Sequence, residues 1–148
     1  MTGPRTVDRM PANDLLERET THHVIGAFFE VYNTLGFGFL EHVYAEALER
    51  ELVERGRTVR REVMVPVWYK GAVISTQRVD MIVDDTVIVE LKSTEVQPVS
   101  AQRQLLNYLS ATSFQVGLLL HFGPKPRFYR VVHTDKNFSA PIRGIRED

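Results

Sequence analysis

Apolar and polar positions along the chain follow two rhythms. Between about residues 15 and 34, Val24, Ala27, Phe28, Val31 and then Leu35 recur at three- and four-residue intervals, the spacing that gathers side chains on one face of a helix. Gly36 follows directly and is expected to end that helix in a left-handed cap. A second stripe, Tyr44, Ala45, Leu48 and Leu52, predicts a helix from about 39 to 55 that stops at Gly56, with Glu41 on the same stripe. The rhythm then shortens to two. Residues 59 to 69 read as a strand, Lys70-Gly71 as a tight turn, and the next strand continues through Arg78 to Val83. A third strand is predicted over 87–91, a helix over about 100–111, and two last strands over 115–122 and 127–133. The first dozen residues carry Pro, Gly and scattered charge without a period, which divides the chain into a tail (1–13), one domain (14–135) and a second tail (136–148).

Composition adds bounds to this pattern. The chain has 148 residues, 43% of them apolar, enough for a single core in one globular domain. It has no cysteine, so a disulfide framework and a thiolate zinc site are both excluded, and a reducing cytoplasm suits it. The beginning, MTGPRTVDRMPAND, lacks the apolar stretch of a signal peptide, and no apolar run reaches membrane-spanning length. A cytoplasmic protein without a membrane partner is expected. The formal charge of −1 is not that of a strongly basic nucleic-acid binder, although carboxylates gathered at a metal site would offset basic patches elsewhere.

Within RVDMIVDDTVIVELK, three charges interrupt an otherwise apolar pattern: Asp80, Glu90 and Lys92. The two-residue period places Met81, Val83, Val87, Val89 and Leu91 on one face, and Asp80, Ile82, Ile88, Glu90 and Lys92 on the other. With Asp84, Asp85 and Thr86 as the turn, Asp80 stands across from Glu90, and Lys92 projects one pleat further along. Two carboxylates and an ammonium are then expected at the rim of a core. Leaving one such ion unpaired costs roughly 3–5 kcal/mol, and a cation would relieve the carboxylate repulsion.

A strand aspartate followed by Glu-x-Lys on the next strand resembles the PD-(D/E)xK nuclease signature. Gly38-Phe39-Leu40-Glu41-His42-Val43-Tyr44 is similar to the string that names the GxxExxY protein family, which is placed in that superfamily. The rest of the family pattern is present in order: Arg78-Val79-Asp80, then Glu90-Leu91-Lys92, then Gln104-Leu105-Leu106-Asn107-Tyr108-Leu109. The similarity covers about residues 20 to 132. It implies an α/β, restriction-endonuclease-like core, a mixed β-sheet flanked by helices, and hydrolysis of a DNA phosphodiester to leave a 5′-phosphate.

On that reading, Asp80, Glu90 and the Leu91 carbonyl would hold Mg²⁺ or Mn²⁺, because such metals favour hard oxygen ligands. Lys92 would orient water or neutralise the phosphate, Glu41 would complete the metal shell directly or through water, and Gln104 would position Lys92 or the phosphate. The bland alternative for Asp80 and Glu90 is a salt-bridge network with Arg78, Lys92 or Arg103. Glu41 would gain about 0.3–1 kcal/mol from the helix dipole in any case. Tyr44 and Tyr108 read as core packers with a polar tip. His22 and His23 point about 100° apart on one helix and do not suit a common site. His42 reads as surface, and His121 stands where the resembling family more often has Asn, in a structural role. No Ser-His-Asp arrangement, Gly-rich phosphate loop or His-x-x-x-His pair is present.

Substrate contacts are expected from basic residues outside this cluster. Five arginines stand against two glutamates between Arg50 and Arg61, and Arg57, Arg60 and Arg61 are candidates for the phosphate backbone, as are Arg78, Lys125, Arg127 and Arg130. Their alternative is a solvated surface. A homodimer, through Trp68-Tyr69 or the outer helix faces, is one way for so small a chain to cut both strands. The rival to a nuclease is a nucleic-acid or protein-binding module that keeps the fold without cleaving.

Overall fold

The structure, a computed structural model, describes residues 16–134; the expected tails, 1–13 and 136–148, lie outside the described residues. Three helices and five strands follow in the order α1 (Arg18–Leu35), α2 (Glu41–Glu54), β1 (Val59–Tyr69), β2 (Ala72–Val83), β3 (Val87–Lys92), α3 (Val99–Ser110), β4 (Val116–Phe122) and β5 (Pro126–Val132). The strands form one sheet in the order β1-β2-β3-β4-β5. Neighbours are antiparallel except β3 and β4, which run parallel and are connected through α3. This is the expected mixed sheet flanked by helices.

Two apolar clusters sandwich the sheet. On one face Met81, Val83, Val87, Val89 and Leu91 meet Val24, Phe28, Tyr44 and Leu48 of α1 and α2. On the other, Ile82, Ile88 and Leu119 meet Leu105 and Leu109 of α3. Full burial of each large side chain contributes about 1.5–3 kcal/mol, and the Tyr44 ring adds a stack on Phe122 at 4.0 Å. The approach of α3 is close: a Cβ at Gly117 would sit 2.9 Å from a Leu105 methyl.

The β1–β2 and β2–β3 hairpins close in left-handed turns. Lys70 and Gly71 have φ of 49° and 83°, and Asp84 and Asp85 have φ of 55° and 61°, the pattern of a type I′ turn, which matches strand twist. The Asp84 turn is held from outside, because its carboxylate accepts from Arg57 Nε at 2.9 Å, Thr20 Oγ1 at 2.7 Å and the Thr58 amide at 3.1 Å. Gly36 ends α1 at positive φ, but its ψ of −169° sends the chain out extended, so the expected left-handed cap is not formed. The extended exit carries the chain through Gly38 to the start of α2.

The sheet is interrupted at one place that matters. The β1–β2 ladder pairs Arg61 with Met81 and Val63 with Val79 but omits Glu62 opposite Asp80, and Glu62 has φ 53°. A glutamate in the left-handed region is strained by roughly 1–2 kcal/mol. The face reverses across the break, for Met81 lies in the α1–α2 core and Val79 in the α3 core. On the other side of β2, the ladder with β3 ends at Met81↔Val89. Asp80 therefore sits where the sheet opens on both sides.

Candidate active site

Where the β2–β3 ladder stops, side chains take over its hydrogen bonds. The Leu91 amide donates to Asp80 Oδ2 at 2.8 Å, and the Asp80 amide donates to Glu90 Oε2 at 3.3 Å. In an extended strand the amide and carbonyl of one residue point to the same edge, so the Leu91 carbonyl also faces the Asp80 side. Burial raises the Glu90 carboxyl, and the neighbouring Asp80 charge and hydrogen bond raise it further, to about 8. Lys92 opposes this shift only weakly.

Glu90 and Lys92 line one wall of a cavity of about 480 Å³. Its far wall is α3, which contributes Gln104 and Tyr108, one helical turn apart on the same side. Gln104 is solvent-exposed at the rim, whereas the Tyr108 hydroxyl is buried without a hydrogen-bond partner. Burial and the Glu90 charge both raise the Tyr108 phenol. The Tyr108 side chain packs against the α3-side cluster, as the sequence suggested, and the residue also lines the cavity. Arg78 lines the same space from β2 and makes a 3.5 Å contact with Glu62.

Glu41 departs from expectation. It is exposed rather than core-facing: α2 begins at Glu41 itself, and the side chain reaches the residue just past the end of the central strand β3. Its Oε2 accepts from the Ser93 amide at 3.4 Å, next to Lys92, and the Ser93 hydroxyl donates to the Phe39 carbonyl at 2.6 Å. Tyr44 secures this entry to α2: its hydroxyl donates to the Gly36 carbonyl and accepts from the Phe39 amide. Among the described residues no group of three or more His, Cys, Asp or Glu side chains is placed to hold a metal ion.

The arginines offered for phosphate contact are largely engaged. Arg57 bridges Asp84 and Glu19, Arg60 pairs with Asp85, and Arg61 pairs with Glu49 at 2.9 Å and Glu46 at 3.4 Å. Arg130 donates to the Leu16 carbonyl. These four serve the hairpin turn, α2 and the start of α1, because each faces a carboxylate or carbonyl brought close by folding. Lys125 and Arg127 are exposed around the β4–β5 turn. His42 is exposed. His121 is buried beside Lys92 in the sheet register, and its Nε2 lies 2.8 Å from the Thr94 carbonyl, fixing the loop that leaves β3.

A family model described as the PD-(D/E)XK nuclease superfamily matches residues 18–131. The chain belongs to the PD-(D/E)XK nuclease superfamily. No curated protein matches it. Among solved structures it is similar to the crystal structure of SSO0001, with 21% identity and a TM-score of 0.49 over 79% of this chain and 59% of that one; the chain thus spans about three fifths of that protein's length.

Nucleases of the PD-(D/E)XK superfamily generally use divalent metals, and the donor set here can be tested against that. Asp80, Glu90 and the Leu91 carbonyl offer only hard oxygens, and the raised Glu90 carboxyl marks a place short of positive charge. Mg²⁺ is commonly bound through one or two carboxylates while keeping several waters. In chemistry, the two carboxylates and the carbonyl are donors of the kind that suits such an ion. No described helix is long and apolar enough to cross a membrane.

Proposed function

We propose that this chain hydrolyses phosphodiester bonds of DNA with Mg²⁺ or Mn²⁺ held by Asp80, Glu90 and the Leu91 carbonyl. The observation that carries the reading is the pairing of Asp80 with Glu90 at the opened end of the β2–β3 ladder, with Lys92 two residues on, lining the same cavity as Glu90. When bound, the metal supplies Lewis-acid activation of water and charge neutralisation at phosphate. Asp80 and Glu90 provide the negative field that selects a dication, and the Leu91 amide fixes the Asp80 carboxylate in place. The Lys92 ammonium stabilises charge that grows on the phosphate oxygens. Gln104, at the cavity rim, orients the phosphate or Lys92. Glu41 acts from the second rank, through water or through the Ser93 amide that it already holds.

The finer kinship to the GxxExxY family is part of this proposal. Its support is that Gly38, Glu41 and Tyr44 work together: the tyrosine hydroxyl holds the loop, the glycine adopts φ 120° within it, and the glutamate reaches Ser93. A cytoplasmic setting agrees with the absence of cysteine. For a homodimer, Tyr69 is exposed with Val73 and Ile74 at the hairpin tip, whereas Trp68 is half-buried and donates its amide to Ala111.

The test incubates purified protein with single-stranded, duplex and branched DNA and with RNA in Mg²⁺, Mn²⁺ or EDTA, beside Asp80→Ala. Cleavage that needs metal and is lost in the variant is the expected result. Absence of cleavage on every substrate, with Mn²⁺ still raising the melting temperature, would replace the nuclease reading with a binding module that retains the fold.

A further inference from the structure

The cavity beside Glu90 and Lys92 is larger than a phosphate needs and differently lined. Val67 and Val79 form one wall, and Leu105, Ala111 and the Tyr108 ring form the other. Exposed amide side chains, Gln77 on β2 and Asn107 on α3, stand at its rim. Apolar walls with a few amides at the rim suit a flat heterocycle whose edges carry both donors and acceptors. At about 480 Å³ the space is that of one small organic molecule, not of a double helix.

A second observation points the same way. Binding that relies on a duplex backbone draws on many unpaired cations, yet Arg57, Arg60 and Arg61 are tied to carboxylates and the chain's formal charge is −1. Recognition by stacking needs fewer cations and tolerates any base. Glu90 also lies in the cavity wall rather than on an open surface, so a strand must enter to reach it, as in enzymes that act on unstacked nucleotides.

We infer that this cavity receives the base of one unpaired nucleotide next to the scissile phosphate, so that the substrate is single-stranded nucleic acid or a single-stranded end. The inference rests on the phosphodiesterase reading and sharpens its substrate class. Val67 and Val79 would face Leu105, Ala111 and Tyr108 across the base, and Gln77 and Asn107 would meet its edges.

The experiment measures binding of a short labelled single strand by fluorescence anisotropy in Ca²⁺, with unlabelled single strand or duplex as competitor. Single strand should compete at least tenfold better than duplex. Ala111→Phe, which fills the cavity, should weaken binding at least tenfold, and Asn107→Ala and Gln77→Ala, at exposed positions, several-fold each with unchanged melting temperature. Equal competition by duplex, no binding of either, or wild-type binding by both amide variants would each overturn the inference; the amide variants decide it if Ala111→Phe fails to fold. The two readings fail separately. Equal cleavage of duplex and single strand in Mg²⁺ would remove the base cavity and leave the nuclease, whereas cavity-dependent binding without cleavage would remove the nuclease and leave the cavity.

Discussion

The backbone amide of Asp80 donates to the side-chain carboxylate of Glu90 across 3.3 Å, while the Asp80 carboxylate accepts from the amide of Leu91. Two acids that repel one another are thus fixed together by the backbone of each other's strand. Without a cation, that repulsion and burial keep Glu90 protonated to high pH, and pH and metal should both reveal it.

Glu90 gives the first prediction. Its carboxyl is pushed up to about 8 by burial and by Asp80, whereas an unfolded glutamate titrates near 4.3. Between those values the unfolded state holds fewer protons, so stability is full below about pH 4.3, as far as this group is concerned, and is lost as pH rises toward 8. Glu90→Gln should therefore stabilise the metal-free protein at pH 8, by roughly 2–4 kcal/mol, and change little near pH 4.5. Denaturation in EDTA at the two pH values measures it; an equal effect at both would sink the assignment. Mg²⁺ should raise the wild-type melting temperature more at pH 8 than at pH 6.

Lys92→Ala should leave the fold intact, because the residue lies half-buried at a strand end. Cleavage should fall about 10²–10³-fold, the scale of losing one positioned electrostatic stabiliser. Single-turnover rates alongside circular dichroism give both readouts, and an unchanged rate would remove Lys92 from the reaction.

Tyr44→Phe keeps the ring stack on Phe122 and deletes only the hydroxyl that joins the Gly36 carbonyl to the Phe39 amide. With both groups left to find water, a loss of about 1–3 kcal/mol is expected in urea denaturation. Cleavage should weaken further than that stability loss explains, because the loop aims Glu41 at Ser93. Activity equal to wild type in a folded variant would show that Glu41 placement does not depend on Tyr44.

Asp84→Ala tests the other end of the hairpin. Burial works to raise this carboxyl, but hydrogen bonds from Arg57, Thr20 and Thr58 outweigh it and the net shift is downward. Stability from Asp84 is therefore present above its ordinary range and is lost as pH falls through the depressed value. The substitution also strands Arg57, so a cost of roughly 2–4 kcal/mol at pH 7 is expected, shrinking at low pH. Equal destabilisation at pH 7 and at pH 2.5 would show that the ion network adds nothing at this turn.

The local elements were legible because each depends on neighbours in sequence. Alternation set β1 and β2, helical spacing set α1, α2 and α3, and the two-residue period placed Ile82 and Ile88 opposite Met81 and Val89 in the two cores, where the structure has them. Hairpin register likewise put Asp80 beside Glu90. The break at Glu62, across which Val79 comes to lie on the α3 side, carried no sequence signal, since glutamate has no preference for the left-handed region.

What the sequence by itself determined is therefore the list of elements, the carboxylate pair and the family motifs, all written within a few residues or one hairpin turn. Tertiary structure alone decided the rest. Glu41 meets Ser93, Arg57 is claimed by Asp84, and Tyr108 of α3 comes to line the cavity beside Glu90 of β3, each across contacts between separate elements. Such contacts depend on how helices settle on a twisted sheet, and the side-chain period of one segment holds no information about which charge another segment will bring to it.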